Sequence, residues 1–188
     1  MGTSPHGVAT VIDSQSIKAA ETVGRGTSGY DPGKRITGRK RHVVVDLTGL
    51  PLLVGVTPAD VHDSQAARTM LTRLRHAHPE ITIVRADRAY AGTLVGWASA
   101  TLNPTVKTVS RPKGSQGFVL LPRRWIMERS LAWLQHARRL VRDYERRPAH
   151  AEAMVNLAVI TLMTRRITRP DCHPTAAPPR PAAALQAA

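Results

Sequence analysis

Short β-branched runs alternate along the chain with segments whose apolar positions recur every three to four residues. Val8 to Ile12 (VATVI) predicts a strand ending at Asp13. Lys18 to Thr37 is rich in Gly, Thr and Ser and predicts a long loop. His42 to Leu47 and Leu52 to Thr57 are apolar runs on either side of Thr48–Gly49, which predicts a β-hairpin. Residues 62–77 place Ala66, Met70, Leu71 and Leu74 on one helical face, with Asp63 or Ser64 as N-cap. Ile81 to Ala86 predicts a strand ending at Asp87, Tyr90 to Ala100 a helix, and Val106 to Val109 a strand. After a basic connection over 111–124, residues 125–145 predict a helix with the stripe Ile126, Trp133, Ala137, Leu140, Val141 and Tyr144, ended by Pro148. A second helix, largely buried, follows over 150–167.

A hairpin followed by strand–helix alternation implies an α/β domain, a mixed sheet covered by helices, over residues 7–168. Residues 1–6 read as a loose end. The Pro- and Ala-rich tail, 169–188, has too little apolar surface to order itself and reads as disordered. The 188 residues fit one domain, and with 42% hydrophobic but only 4% aromatic residues the core must be aliphatic.

Charge changes the picture. Lys and Arg number 27 against 13 Asp and Glu, a formal net charge of +14. That excess predicts attraction to polyanions, DNA first. Most of it is Arg, which suits bidentate phosphate contacts. The lone Cys172 makes no intramolecular disulfide and no Cys-based zinc site, and suggests a reducing, cytoplasmic setting. No signal peptide is evident at the N-terminus. The longest apolar stretch, Ala153 to Met163, is interrupted by Asn156 and Thr161 and is too short for a bilayer.

Two aspartates stand where strands are predicted to end, Asp13 and Asp87, and Glu128 lies early in a predicted helix. In open α/β sheets functional groups gather beyond the carboxyl ends of strands. Three carboxylates from separate elements could converge on hard divalent cations such as Mg²⁺. A pair of such ions about 4 Å apart supports in-line phosphoryl displacement. Each acid also has an ordinary explanation. A strand-terminal Asp is commonly an N-cap, and Glu128 can pair with Arg124 one helical turn back. Asp46, Asp60 and Asp63 compete for the same role. His62, between Asp60 and Asp63, is explained equally by a helix N-terminus. Trp125 and Trp133 read as core residues rather than base-stacking platforms. The basic runs 38–42, 111–113, 123–124 and 138–139 could be solvated faces, but their number favours nucleic acid.

The segments VIDSQSIK (11–18), GRKRHVVVDLTGLPL (38–52), ADVHDS (59–64), RADRAYAG (85–92), PRRWIMERSLAWL (122–134) and RRLVRDYE (138–145) together resemble the transposases of the insertion sequence five group. Those are DDE transposases with a ribonuclease H-like catalytic domain, and the resemblance spans roughly residues 8–167. It implies a mixed five-stranded sheet flanked by helices. It implies Asp13, Asp87 and Glu128 as the catalytic, metal-binding acids, with Mg²⁺ or Mn²⁺ as cofactor. It implies double-stranded DNA, transposon ends and target, as partner, acted on by a homodimer, with no membrane association. Arg124 matches a DNA-contacting arginine of the related signature, and Lys18, Arg39, Lys40 and Arg41 are the other candidate phosphate contacts. Two departures stand out: Leu121 replaces a frequent tyrosine, and Gln135 a frequent lysine. Family members usually carry an N-terminal helical domain that reads the transposon ends. This chain starts almost at the first catalytic strand and reads as a copy without it.

The implied reaction is metal-dependent hydrolysis at a transposon end, followed by attack of the freed 3′-OH on target DNA. The alternatives are a catalytically inactive DNA-binding remnant and a ribonuclease H-like nuclease that cuts without joining. An RNA-binding protein fits less well, because one Phe and three Tyr leave few stacking positions.

Overall fold

The structure, a computed structural model, describes residues 8–103, 105–108 and 124–168. The side chain of Arg124 lies outside what is described, as do the loose end over 1–6, Val109, most of the basic connection over 111–124, and the Pro- and Ala-rich tail.

Among the described residues, six strands form one mixed sheet. β1 (Val8–Lys18) lies at its centre, antiparallel to β3 (Ile36–Val45) and parallel to β5 (Ile81–Ala86), which is followed by parallel β6 (Thr105–Thr108). β4 (Pro51–Pro58) and the short β2 (Gly29–Asp31) pair with successive stretches of the other edge of β3. The main strands thus run β4-β3-β1-β5-β6. Among the described residues, four helices flank them: α1 (Asp63–Ala77), α2 (Thr93–Leu102), α3 (Arg124–Gln135) and α4 (Pro148–Thr168). This is an α/β fold of the ribonuclease H-like kind, with β2 added to the expected five strands.

Strand alternation divides the core between the two faces of the sheet. Ile12 and Val44 point towards α1 and α2, where they meet Met70, Leu71, Leu74, Leu94 and Ala98. Val11, Val43 and Val45 point the other way, onto Ile126, Met127, Leu134, Val155 and Val159 of α3 and α4. Full burial of each such aliphatic side chain contributes about 1.5–3 kcal/mol. The hairpin turn forms as its residues predict. Asp46 Oδ1 accepts from the backbone N–H groups of Thr48 and Leu50 (both 2.8 Å), and Gly49 takes the positive φ of 85°.

Four expectations are corrected. β1 does not end at Asp13 but continues to Lys18, because Ser14 and Ser16 find partners in Asp63 and Asp31 (2.9 and 2.5 Å). The helix expected over 125–145 stops at Gln135. A 3-10 turn over Arg138–Leu140 follows, and Asp143 then bridges to Ala19 beside the end of β1. Val141 and Tyr144, expected in the buried stripe, are exposed as a result. α4 is buried on one side only: Ala151, Val155 and Val159 face inward, whereas Leu157, Ile160, Met163 and Ile167 are exposed. The cap of α1 is His62, whose ring nitrogen accepts from the backbone N–H of Ser64, rather than Asp63 or Ser64.

Candidate active site

Asp13 and Asp87 come from neighbouring parallel strands. The pairing Val11 with Arg85, carried two residues further, sets Asp13 beside Asp87. Both residues also follow the alternation that turns them away from Ile12 and Ala86, which pack beneath α1 and α2. They therefore belong to the α3 side of the sheet. Asp13 is half-buried, and its Oδ1 accepts from the Ser14 N–H at 2.7 Å. Asp87 is exposed and caps the 3-10 turn Arg88–Tyr90, its Oδ1 accepting from the Ala89 N–H at 2.8 Å. Capping and a functional role are thus compatible, since one carboxylate oxygen is left over. Glu128 is exposed on α3, immediately after Ile126 and Met127, which pack with Val11 and Val43 of the sheet. Among the described residues, no three His, Cys, Asp or Glu side chains converge closely enough to hold a metal ion. The structure brings Asp13 and Asp87 together and leaves Glu128 on the adjoining helix.

A residue that sequence reasoning passed over marks this edge. Tyr90 is fully buried three positions after Asp87. Burial raises its phenol pKa well above the usual value, and the charges of Asp13, Asp63 and Asp87 raise it further. The phenol oxygen faces Ser14, which counteracts slightly, but it makes no well-formed hydrogen bond. Burial is the main cause of this shift, and the three carboxylates add to it. Asp63, one of the competing acids, is braced: its Oδ1 accepts from Ser14 Oγ (2.9 Å) and pairs with Lys40 Nζ (3.3 Å). Asp46, another, is occupied by its own turn. Asp60 is exposed.

The candidate phosphate contacts fare unequally. Lys18 is exposed at the end of β1. Lys40 is held by Asp63 and by the Val61 carbonyl at 3.0 Å. Arg39 is fully buried and uses all five N–H donors internally, on Thr27 O and Oγ1, Asp143 Oδ2, Glu145 O and Arg146 O. Arg41 is buried as well, donating to Leu140 O at 2.6 Å. Burial lowers its pKa, with Asp143 opposing. The expectation that Arg39 and Arg41 touch phosphate is therefore corrected. Both point from β3 onto the segment around Leu140 to Arg146, so their charges face protein. Trp125, expected in the core, is exposed. Arg129 lies over its ring (4.4 Å) and over that of Trp133 (4.8 Å).

Comparison with known proteins decides the family. A family model described as "Transposase DDE domain" matches residues 4–163. The chain belongs to the DDE transposase family. It is 31% identical over 162 residues to a Burkholderia cepacia protein named "Putative transposase for insertion sequence element IS402", covering 79% of this chain and 74% of that one. Membership of this family implies a transposition-related nuclease function, acting on DNA and generally with a divalent metal. No helix among the described residues is long and apolar enough to cross a membrane.

Proposed function

We propose that this chain is a DDE transposase catalytic domain that cuts DNA at transposon ends and joins the ends to target DNA, with Asp13, Asp87 and Glu128 as its metal-holding acids and Mg²⁺ or Mn²⁺ as cofactor. The observation that carries the reading is the parallel register of β1 and β5, which sets Asp13, within β1, beside Asp87, just past the end of β5. The donor chemistry fits a hard divalent cation: all the candidate ligands are carboxylate oxygens, and a cation would relieve the mutual repulsion there. When bound, the metal supplies Lewis acidity towards phosphoryl oxygens and lowers the pKa of water.

The protein's own part is positioning. The Ser14 N–H orients Asp13 through its Oδ1, and the Ala89 N–H orients Asp87 through its Oδ1. Lys40 neutralises Asp63, so this third acid does not add a full uncompensated charge. Lys18 and Arg124 would hold phosphates beside the reacting bond. Hydrolysis of the phosphodiester by water leaves a 3′-OH and a 5′-phosphate. The 3′-OH then displaces a 3′-oxygen in the target strand, with no covalent protein intermediate. Two such ends joined in concert call for a homodimer.

The test is metal-dependent nicking of end-containing DNA by the wild type and by Asp13→Asn, Asp87→Asn and Glu128→Gln. A strand-transfer assay on a pre-cut end runs beside it. Nicking and joining lost in all three variants, with folding retained, is the expected result. Nicking that survives a substitution removes that acid from the site, and cutting without joining makes the protein a nuclease instead.

A further inference from the structure

We infer that the cleft between the 22–27 loop and the start of α4 is a phosphate subsite that grips the DNA backbone away from the Asp13–Asp87 edge. The inference rests on the transposase reading for the identity of its ligand. The cleft is open, about 710 Å³, and its lining includes Gly24, Gly26, Thr27, Arg146, Arg147 and His150.

Three observations point to an anion. The first is the state of its arginines. Arg146 and Arg147 are exposed and make no ion pair among the described residues, whereas Arg39 is locked onto Asp143 (3.1 Å) and Arg139 onto Glu145 (2.7 Å). The acid of the lining, Glu145, is thus already neutralised by Arg139, and the remaining charge is positive.

The second is local electrostatics. α4 begins directly after Arg146 and Arg147, carries His150 in its first turn and has no acidic residue there. A helix N-terminus favours negative charge. Arg146 and Arg147, next to that end in the chain, add positive charge that an anion would offset. α1, by contrast, opens with Asp63.

The third is shape. A Cβ added to Gly24 or Gly26 would meet nothing within 4 Å, so the loop backbone borders open space. A phosphate could approach those backbone groups closely. Buried Arg39 holds this architecture rigid, since it takes the carbonyls of Thr27, Glu145 and Arg146 and so joins both walls of the cleft from below.

The cleft is tied to the proposed active site through β1. The backbone N–H of Ala20, just past the end of that strand, donates to Asp143 O at 2.7 Å. From Asp13 to Lys18 the strand advances five residues, roughly 16 Å at ~3.3 Å each.

The test is the salt dependence of duplex DNA binding by the full chain. The variants are Arg146→Gln with Arg147→Gln, Gly26→Leu, and Arg75→Gln on α1 as control. Only the carbonyl of Arg146, not its side chain, serves Arg39, so the double variant keeps the fold. The expected result is a log–log slope shallower by about one for each arginine removed. Gly26→Leu, which changes no charge but fills the cleft, should also weaken binding, and Arg75→Gln should leave it unchanged. A wild-type slope in the double variant overturns the proposal. So does an effect of the arginines that Gly26→Leu does not share, which would make them open surface charge. Metal-dependent nicking reports separately on the transposase reading. Wild type that nicks but shows no slope change on substitution loses the cleft alone. Wild type that binds through the cleft but never nicks keeps the cleft and loses the catalytic reading.

Discussion

Two basic runs of this chain meet opposite fates. Arg39 and Arg41 lie on β3, which pairs with β1 on one edge and with β4 on the other, and both are buried. Arg146 and Arg147 stand where the chain leaves a turn and enters α4, and both are exposed. On paper the two runs look alike. What separates them is the element beneath them: a central strand turns successive side chains into one layer or the other, while a connection leaves them in water. Net charge therefore predicts attraction to DNA without saying which arginines supply it.

The largest effect of breaking this contrast is expected at Arg39. Arg39→Ala should cost about 3–5 kcal/mol, because it strands a buried carboxylate, Asp143, with no counter-charge. Urea unfolding measures it. A loss below about 1 kcal/mol would mean that the five-bond arrangement contributes little.

Next is His42, on the same strand. Burial pulls its pKa from 6.5 to about 4, Asp63 opposing and Lys40 assisting. The unfolded chain takes up a proton below about pH 6.5, the folded chain only near pH 4. Its contribution to stability is thus fully present above pH 6.5 and is lost as pH falls through that window towards 4, by about 3 kcal/mol in all. His42→Gln should flatten that part of the pH–stability curve, and an unchanged slope would contradict the assignment.

Arg41→Met should cost less, about 1–3 kcal/mol, since one carbonyl, Leu140 O, loses its donor and the arginine's Nε has no partner to begin with. Arg146→Gln with Arg147→Gln should change stability by no more than about 0.5 kcal/mol. The same pair should carry the largest effect on DNA binding, the inverse of Arg39.

Much of the fold is legible in the sequence where burial and local preference agree. The VVV of β3, the Val- and Ile-rich β5 and the four-residue face of α1 all report cores on which they directly pack. Legibility fails where tertiary partners override the local pattern. Ser14 and Ser16 look like the residues of a loop, yet Asp63 and Asp31 hold them in a strand. The segment after Gln135 keeps a helical stripe on paper, but pairing of Asp143 with Ala19 and its capture by Arg39 draw it out of the helix. At the site, Asp13 and Asp87 were visible because they follow β-branched runs, and parallel pairing sets them together. Tyr90 was hidden, for a tyrosine near a strand end has no distinguishing pattern until burial and three carboxylates surround it. Asp63 was visible as an acid but not as a braced one, since its partners lie 49 residues earlier at Ser14 and on β3 at Lys40.

The measurement that tests the account most directly is nicking of end-containing DNA in Mg²⁺ or Mn²⁺ by the wild type, Asp87→Asn and Asp63→Asn, compared at equal amounts of folded protein. Both acids act on Tyr90, but only Asp87 is assigned to the reacting centre, with Asp63 confined to bracing. The account predicts metal-dependent nicking by the wild type, none by Asp87→Asn, and reduced but measurable nicking by Asp63→Asn. Nicking that persists in Asp87→Asn and vanishes in Asp63→Asn would contradict it.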